Sequence, residues 1–375
     1  MKKELELYLH IPFCVRKCAY CDFLSGPSDD KTIEKYVEIL IKEIKANDEL
    51  AKEYVVTTIF LGGGTPSILS GEQMTRIFTA LHETFDIVQD AEITTEANPG
   101  TVSEEKLSAY RKVGINRISF GLQSANNEDL KLLGRIHTYE EFLESFQMAR
   151  TCGFDNINVD LISAIPKQNV DGWLLSLKKI VALNPEHISA YSLIIEEGTP
   201  FAKLYGEGTE GEKELPSEEE EREIYKQTEI LLKEAGYERY EISNYAKPGA
   251  ECRHNLGYWE RKEYLGLGLG ASSLIKNERF HNIEDLESYM EHGWELNEIR
   301  QDKEVLDETA QLEEYVFLGM RKMNGILMKD VLLERYGDNI DRMEEQGLLE
   351  IKDGKMKLTR AGIDVSNYVF AEILF

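Results

Sequence analysis

The sequence predicts an α/β chain: a partial TIM-type (β/α)6 barrel followed by a smaller α+β domain with a winged-helix-like end. Three observations carry this. Six short β-branched or apolar runs are each followed by a helical pattern, which argues βαβ units and a parallel sheet. No glycine-rich dinucleotide fingerprint opens any of these units, so a barrel fits better than a Rossmann sheet. Beyond about residue 236 the alternation stops, and helices with a terminal hairpin take over. The expected division is residues 1–240 for the barrel and 241–375 for the C-terminal domain.

The candidate strands are 5–11, 57–62, 92–97, 117–122, 156–162 and 187–194. The candidate helices are 31–46, 71–84, 103–113, 139–152, 170–182 and 217–235. The first helix is the clearest, with Ile33, Tyr36, Val37, Leu40, Ile41 and Ile44 recurring on one face at helical spacing. The acidic run 207–223 reads as a solvated loop entering a helix N-terminus, where carboxylates suit the dipole. "YERYEISNYA" reads as one more strand and "KPGAECRHNLGYW" as a polar and aromatic loop. From 303 a helical run is expected, then two shorter helices, "MKDVLLERYG" and "NIDRMEEQGLLE". "LEIKDGKMKLT" carries an Asp353-Gly354 turn and reads as a hairpin.

With 375 residues, 42% of them hydrophobic, the chain can bury a sizeable core without disulfide staples. Its net charge is −26, which argues against nucleic acid, because Lys and Arg neutralising phosphates supply most of that affinity. The same acidity makes the winged-helix-like end a packing or lid module rather than a DNA reader. Five cysteines, three of them between residues 14 and 21, suit a reducing cytoplasm rather than an extracellular disulfide framework. The N-terminus shows no apolar run of signal-peptide length, and no segment approaches the ~20 apolar residues of a membrane span.

In a β/α barrel the chemistry gathers at the C-terminal ends of the strands. The first strand runs into "HIPFCVRKCAYCDF", with Cys14, Cys18 and Cys21. Structural zinc prefers four ligands in two pairs. Three thiolates at C-x3-C-x2-C suit an iron–sulfur cluster with one iron left for a non-protein ligand. The second strand ends in "GGGTP", where Gly63 and Gly64 let a ligand approach the backbone. Glu96, Gln123, Arg135 and Asp160 fall on or just beyond strands three to five, a set able to contact an amino-acid moiety, a ribose and a carboxylate. Cys152 and Cys252 read as buried structural cysteines.

The three-cysteine loop, with Tyr20 before its last cysteine, followed by "GGGTP", resembles the radical S-adenosylmethionine (SAM) enzymes. "EANPGT", "RISFGLQS", "LGRIH", "NVDLISAIPKQ", "RHNLGYW" and "YLGLGLGA" narrow this to a resemblance to the oxygen-independent coproporphyrinogen III oxidase family, from residue 7 to the C-terminus. The resemblance implies that Cys14, Cys18 and Cys21 hold one [4Fe–4S] cluster, whose open iron SAM chelates. Tyr8 and Tyr20 would lie beside cluster and cofactor, and Gly63, Gly64 and Thr65 would meet the methionine part of SAM. Glu96, Gln123, Arg135 and Asp160 would complete the pocket. One electron into SAM would cleave it to methionine and a 5′-deoxyadenosyl radical. Ser163 and Ala164 stand where the family often has a tyrosine-glycine pair, which alters one pocket wall.

That family divides. Its oxidases carry a fourth cysteine two positions after the third, where this chain has Phe23, and a longer N-terminal arm, which is not expected here. Both departures resemble the HemW branch of heme chaperones. "HNLGYW" matches the H-N-x-x-Y-W pattern that the branch associates with heme, which would assign His254, Asn255, Tyr258 and Trp259 to heme. His is a usual axial ligand, the two aromatics could stack on a porphyrin, and Arg253 could pair with a propionate. The alternative is that these side chains serve a core. The expected partners are heme, heme-acceptor proteins, an electron donor for the cluster and a second copy of the chain. The alternative activity is that of the oxidases, conversion of coproporphyrinogen III to protoporphyrinogen IX. A tRNA-modifying enzyme is disfavoured by the charge.

Overall fold

A computed structural model describes residues 2–374. Six parallel strands form its centre: β1 (Lys3–Ile11), β2 (Tyr54–Gly63), β3 (Ile87–Ala97), β4 (Arg117–Gln123), β5 (Ile157–Ser163) and β6 (His187–Ser192). They pair in sequence order, β1 to β6, as a barrel's strands do. The crossover helices are α1 (Asp30–Ala46), α2 (Gly71–Thr84), α3 (Glu104–Lys112), α4 (Tyr139–Thr151), α5 (Val170–Val181) and α6 (Glu218–Glu234). Each matches its sequence expectation to within about two residues. Local chemistry explains the sharp starts. Ser70, Thr138 and Ser217 each cap a helix in a reciprocal capping box with Gln73, Glu141 and Glu220. The acidic run does enter a helix, with Glu218 to Glu221 in its first turn.

Alternation along each strand sorts residues to two faces. On β1, Leu5, Leu7, Leu9 and Ile11 are fully buried under the helices, while Glu6, Tyr8 and His10 point into the barrel. The barrel interior is polar at every level, and its two ends serve different purposes.

Five expectations change. "YERYEISNYA" is two short strands, β7 (Glu238–Arg239) and β8 (Asn244–Ala246), because Glu241 accepts from the Ser243 amide and turns the chain between them. "HNLGYW" is not a loop but a helix, α7 (Arg253–Trp259). The main sheet and its core extend well past residue 240: β9 (Tyr264–Leu267) adds in parallel beside β1, and β10 (Ser272–Ile275), β11 (Glu278–Asn282) and β12 (Arg300–Val305) continue antiparallel to a twelve-stranded sheet. The buried cluster of that sheet runs to Ile299, and a second one begins at Leu312.

The expected helix from 303 starts later, as α8 (Glu308–Gly319), with Asp307 as its cap. The two helices expected next are one, α9 (Asp330–Glu345). Gly337 does not break it, because Leu332, Tyr336, Ile340 and Met343 keep one buried stripe. The winged-helix-like end carries the expected hairpin, β14 (Leu349–Lys352) with β15 (Lys355–Leu358), joined by β13 (Ile326–Leu327). No helix among the described residues is long and apolar enough to cross a membrane.

Candidate functional site

At the barrel mouth, the chain leaves β1 and folds back, with Cys14 N–H donating to Gly26 O and Gly26 N–H to Pro12 O, at 2.9 and 3.0 Å. Cys14 is buried, Cys18 and Cys21 are half-buried, and all three thiols are free. The loop is stitched to the segment after β4: Arg16 donates to Gly134 O at 2.7 Å and Ala19 N–H to Leu133 O at 3.1 Å. Among the described residues, no three His, Cys, Asp or Glu side chains close on a single-ion site. The donor set is three thiols beside a guanidinium, which suits anionic thiolates.

The remaining expected residues converge on that loop. Arg135 Nη1 donates to Cys18 Sγ at 3.4 Å, and its Nη2 to Asn98 Oδ1 at 2.6 Å and to Gly121 O. Asn98 in turn donates to Thr65 Oγ1 at 2.8 Å. This chain from Thr65 to the thiol runs through a residue that the sequence reading quoted within "EANPGT" but did not single out. Gly63 has φ of 107°, and a Cβ there would collide with the His10 ring, so only glycine fits. Its N–H donates to Glu96 Oε2 at 3.2 Å. Burial, then Asp160, pushes the Glu96 carboxyl up to about 8. Asp160 is fixed by Ser119 and Asn158, both at 2.8 Å. Gln123 sits at the end of β4 with φ of 75°, a left-handed conformation that a non-glycine residue holds only under constraint. Tyr20 is half-buried, edge-on to Phe201 at 6.3 Å. Tyr8 bonds His10 Nδ1 at 3.0 Å, and His10 Nε2 bonds Leu24 O at 2.9 Å, tying β1 to the far side of the cysteine loop.

The floor is different. Helix α7 enters the barrel from below, and Glu92 on β3 caps it, accepting from Arg253 N–H and His254 N–H at 3.0 Å each. His254 is 1% exposed and stacks on Phe60 at 5.2 Å. Its Nδ1 bonds Thr58 Oγ1 at 2.7 Å and its Nε2 bonds the Tyr258 hydroxyl at 3.0 Å. Burial, and then Arg117, lowers its pKa to about 3, so the ring is neutral. His254 is thus a core histidine in this structure. Arg253 Nη1 donates to Asp90 O at 2.8 Å, at the entry end of β3, away from the mouth. Asn255 is half-buried on α7, Cys252 is buried against Glu92 at 3.5 Å, and Cys152 contacts Ser108 at 3.8 Å.

Between mouth and floor lies a cavity of about 510 Å³, within the ordinary range for small-molecule sites. Tyr8 and His10 form one wall, Tyr258 and Trp259 another, and Arg261, Tyr264 and Arg279 a third, with Leu318 of α8 at the rim. Of the expected heme set, then, Tyr258 and Trp259 reach open space and His254 does not. Arg261 and Arg279 were missed, because nothing in a local pattern tells that β9 pairs with β1 and brings β10 and β11 to that edge of the sheet.

Comparison with known proteins covers the whole chain. The Radical SAM superfamily matches residues 8–180, and the HemN C-terminal domain matches residues 306–365. The "Heme chaperone HemW" of Lactococcus lactis is 36% identical over 381 residues, covering 100% of this chain and 98% of that protein. That of Bacillus subtilis is 34% identical, covering 98% of each. That of Escherichia coli is 42% identical over 277 residues, covering 72% of this chain and 70% of its own. Among solved structures, the coproporphyrinogen III oxidase HemN of E. coli, titled a radical SAM enzyme, superposes with a TM-score of 0.85 at 24% identity, over 99% of this chain and 90% of that one. This last likeness shows the fold.

Proposed function

The chain belongs to the HemW family within the radical SAM superfamily, and we propose that it binds heme and carries it to acceptor proteins. The observation that carries this reading is the cavity, which opens from the SAM-facing strand β1 to the aromatic end of the HNLGYW helix. Two of its donors, Arg261 Nη2 and Trp259 Nε1, are buried without a partner, which suits a ligand bearing carboxylates. Phe23 in place of a fourth cysteine supports the same branch.

Cys14, Cys18 and Cys21 would hold the [4Fe–4S] cluster. Gly63, Gly64 and Thr65, with Glu96, Gln123, Arg135, Asp160, Tyr8 and Tyr20, would surround SAM. The Glu96 carboxyl suits a cationic amino group: one oxygen is held by Gly63 N–H, and the other is free to take a proton or accept a bond. Arg135 donates to the Cys18 sulfur and so helps to fix its position in the loop. When bound, the cluster and SAM together supply one-electron cleavage of SAM. An electron donor would approach over the exposed cysteine loop, and five free cysteines suit a cytoplasmic setting.

Hemin titration of the anaerobically reconstituted full chain tests the reading, run beside a coproporphyrinogen III assay on the same sample. We expect saturable binding at least about tenfold tighter than to an unrelated acidic protein, and no protoporphyrinogen IX. Turnover of coproporphyrinogen, or hemin binding no tighter than the control, overturns it.

A further inference from the structure

A heme in the cavity needs an axial ligand, and His254 could supply one only by abandoning two hydrogen bonds and its place under Phe60. Four cavity-lining side chains carry atoms able to bind iron: Tyr8, His10, Tyr258 and Tyr264. His10 is committed at both ring nitrogens, to the Tyr8 hydroxyl and to Leu24 O, and that first bond also occupies Tyr8. The Tyr258 hydroxyl is committed to His254. Tyr264 is different. Its ring is braced edge-on against Tyr258 at 4.8 Å, and its hydroxyl faces the Arg279 guanidinium.

The carboxylate-seeking donors lie on the same side. Arg261 Nε donates to Glu314 at 2.7 Å, and Arg279 pairs with the other oxygen of that carboxyl. Arg261 Nη2 remains unpartnered, as does Trp259 Nε1. An unpaired buried donor is unfavourable, a penalty that a ligand's carboxylate would remove.

We infer that Tyr264, oriented by Arg279, ligates the iron of the bound heme, and that Arg261 and Trp259 receive one of its propionates. This rests on the heme-carrying reading above. The step is a ligation without electron transfer: the phenolic O–H bond breaks, its proton leaves to solvent, and the phenolate oxygen bonds ferric iron. Burial raises the Tyr264 hydroxyl and Glu314 adds to the rise, while Arg279 acts against both, so the guanidinium is what favours a phenolate at this depth.

The test uses the reconstituted full chain, with hemin and iron-free protoporphyrin IX as probes. Wild type should show the resonance Raman bands of a ferric tyrosinate. Tyr264→Phe should lose those bands and lose about tenfold in hemin affinity, while binding protoporphyrin IX as wild type does. His254→Gln should keep the bands. Arg261→Gln should weaken hemin but leave hemin dimethyl ester unchanged. A wild-type spectrum of imidazole-ligated heme, or bands that survive in Tyr264→Phe, overturns the assignment while leaving heme binding intact. Absence of hemin binding by wild type instead overturns the reading on which it rests. Should Tyr264→Phe fail to fold, the wild-type Raman spectrum alone decides between phenolate and imidazole.

Discussion

The mouth and the floor of this barrel are built from the same inward-facing rows, four residues apart, and do opposite things. On β3, Glu92 and Glu96 share a face. Glu92 at the floor is fully spent, accepting two amide hydrogens of α7 and the Cys252 thiol. Glu96 at the mouth accepts one amide and is otherwise free. On β1, Tyr8 and His10 border open space, while Glu6 below them is 1% exposed and presses on Gly257, where a Cβ would strike its carboxyl. A polar residue inside a barrel is therefore not evidence of a ligand site by itself. What separates Glu92 from Glu96 is whether protein donors already saturate the carboxyl.

The largest expected effect is at the mouth. Cys18→Ala should abolish the cluster, with iron content and visible absorbance near background after reconstitution, yet shift the unfolding midpoint little, since Cys18 is only half-buried. A variant that retains the cluster would remove these thiols from that role. Next comes the glutamate pair. Glu92→Ala should destabilise the chain by roughly 2–4 kcal/mol, because it strips the cap from α7 and leaves buried amides unpaired. Glu96→Gln should not lower the free energy of unfolding near pH 7, because it removes a carboxyl that burial holds up to about 8, and it should weaken SAM binding by about tenfold in equilibrium dialysis. Equal stability losses in the two variants would erase the distinction between mouth and floor.

The sequence carries the mouth far better than the floor. The cysteine spacing, "GGGTP" and the strand-end polar residues are local signals, and in the structure Thr65, Arg135 and Cys18 are joined through Asn98, and Gly63 is joined to Glu96. The crossover helices were legible for the same reason: caps and apolar stripes are local. The floor depends on long-range return of the chain. "HNLGYW" is too short for a helical period to declare itself, and its helix is fixed by Glu92, more than 160 residues away. Nor does any local pattern place Arg261, Tyr264 and Arg279 beside Tyr8, because that requires β9 to pair with β1 across most of the chain.

The floor also has a pH signature. Burial raises Glu6 from the usual carboxyl value to about 8, with neighbouring carboxyls adding to it and Lys262 opposing. Between 4.5 and about 8 the folded chain keeps a proton that the unfolded chain has lost. Stability from this group is therefore full below pH 4.5 and falls as pH rises through that window, by up to about 1.4 kcal/mol per unit. Glu6→Gln keeps the shape without the proton. Its stability relative to wild type, from urea unfolding at pH 5, 6.5 and 8, should rise steadily. A constant difference would mean that Glu6 is already ionised in the fold.

The smallest effect is expected where the sequence drew its finest line. Phe23 stands where the related oxidases carry a fourth cysteine, yet it is 69% exposed and is held through its backbone, its carbonyl accepting from Lys17 at 2.9 Å and Ser25 at 3.3 Å. Phe23→Cys should change stability by less than about 0.5 kcal/mol. Iron per chain should stay the same, because Arg135 and the loop anchors at Gly134, Leu133 and Gly26 do not involve residue 23. Coproporphyrinogen turnover should not appear, since a thiol at the solvent edge alters neither the cavity walls nor the SAM contacts. If turnover did appear, the division between carrier and oxidase would lie in that one loop position, and the cavity beneath it would be common to both.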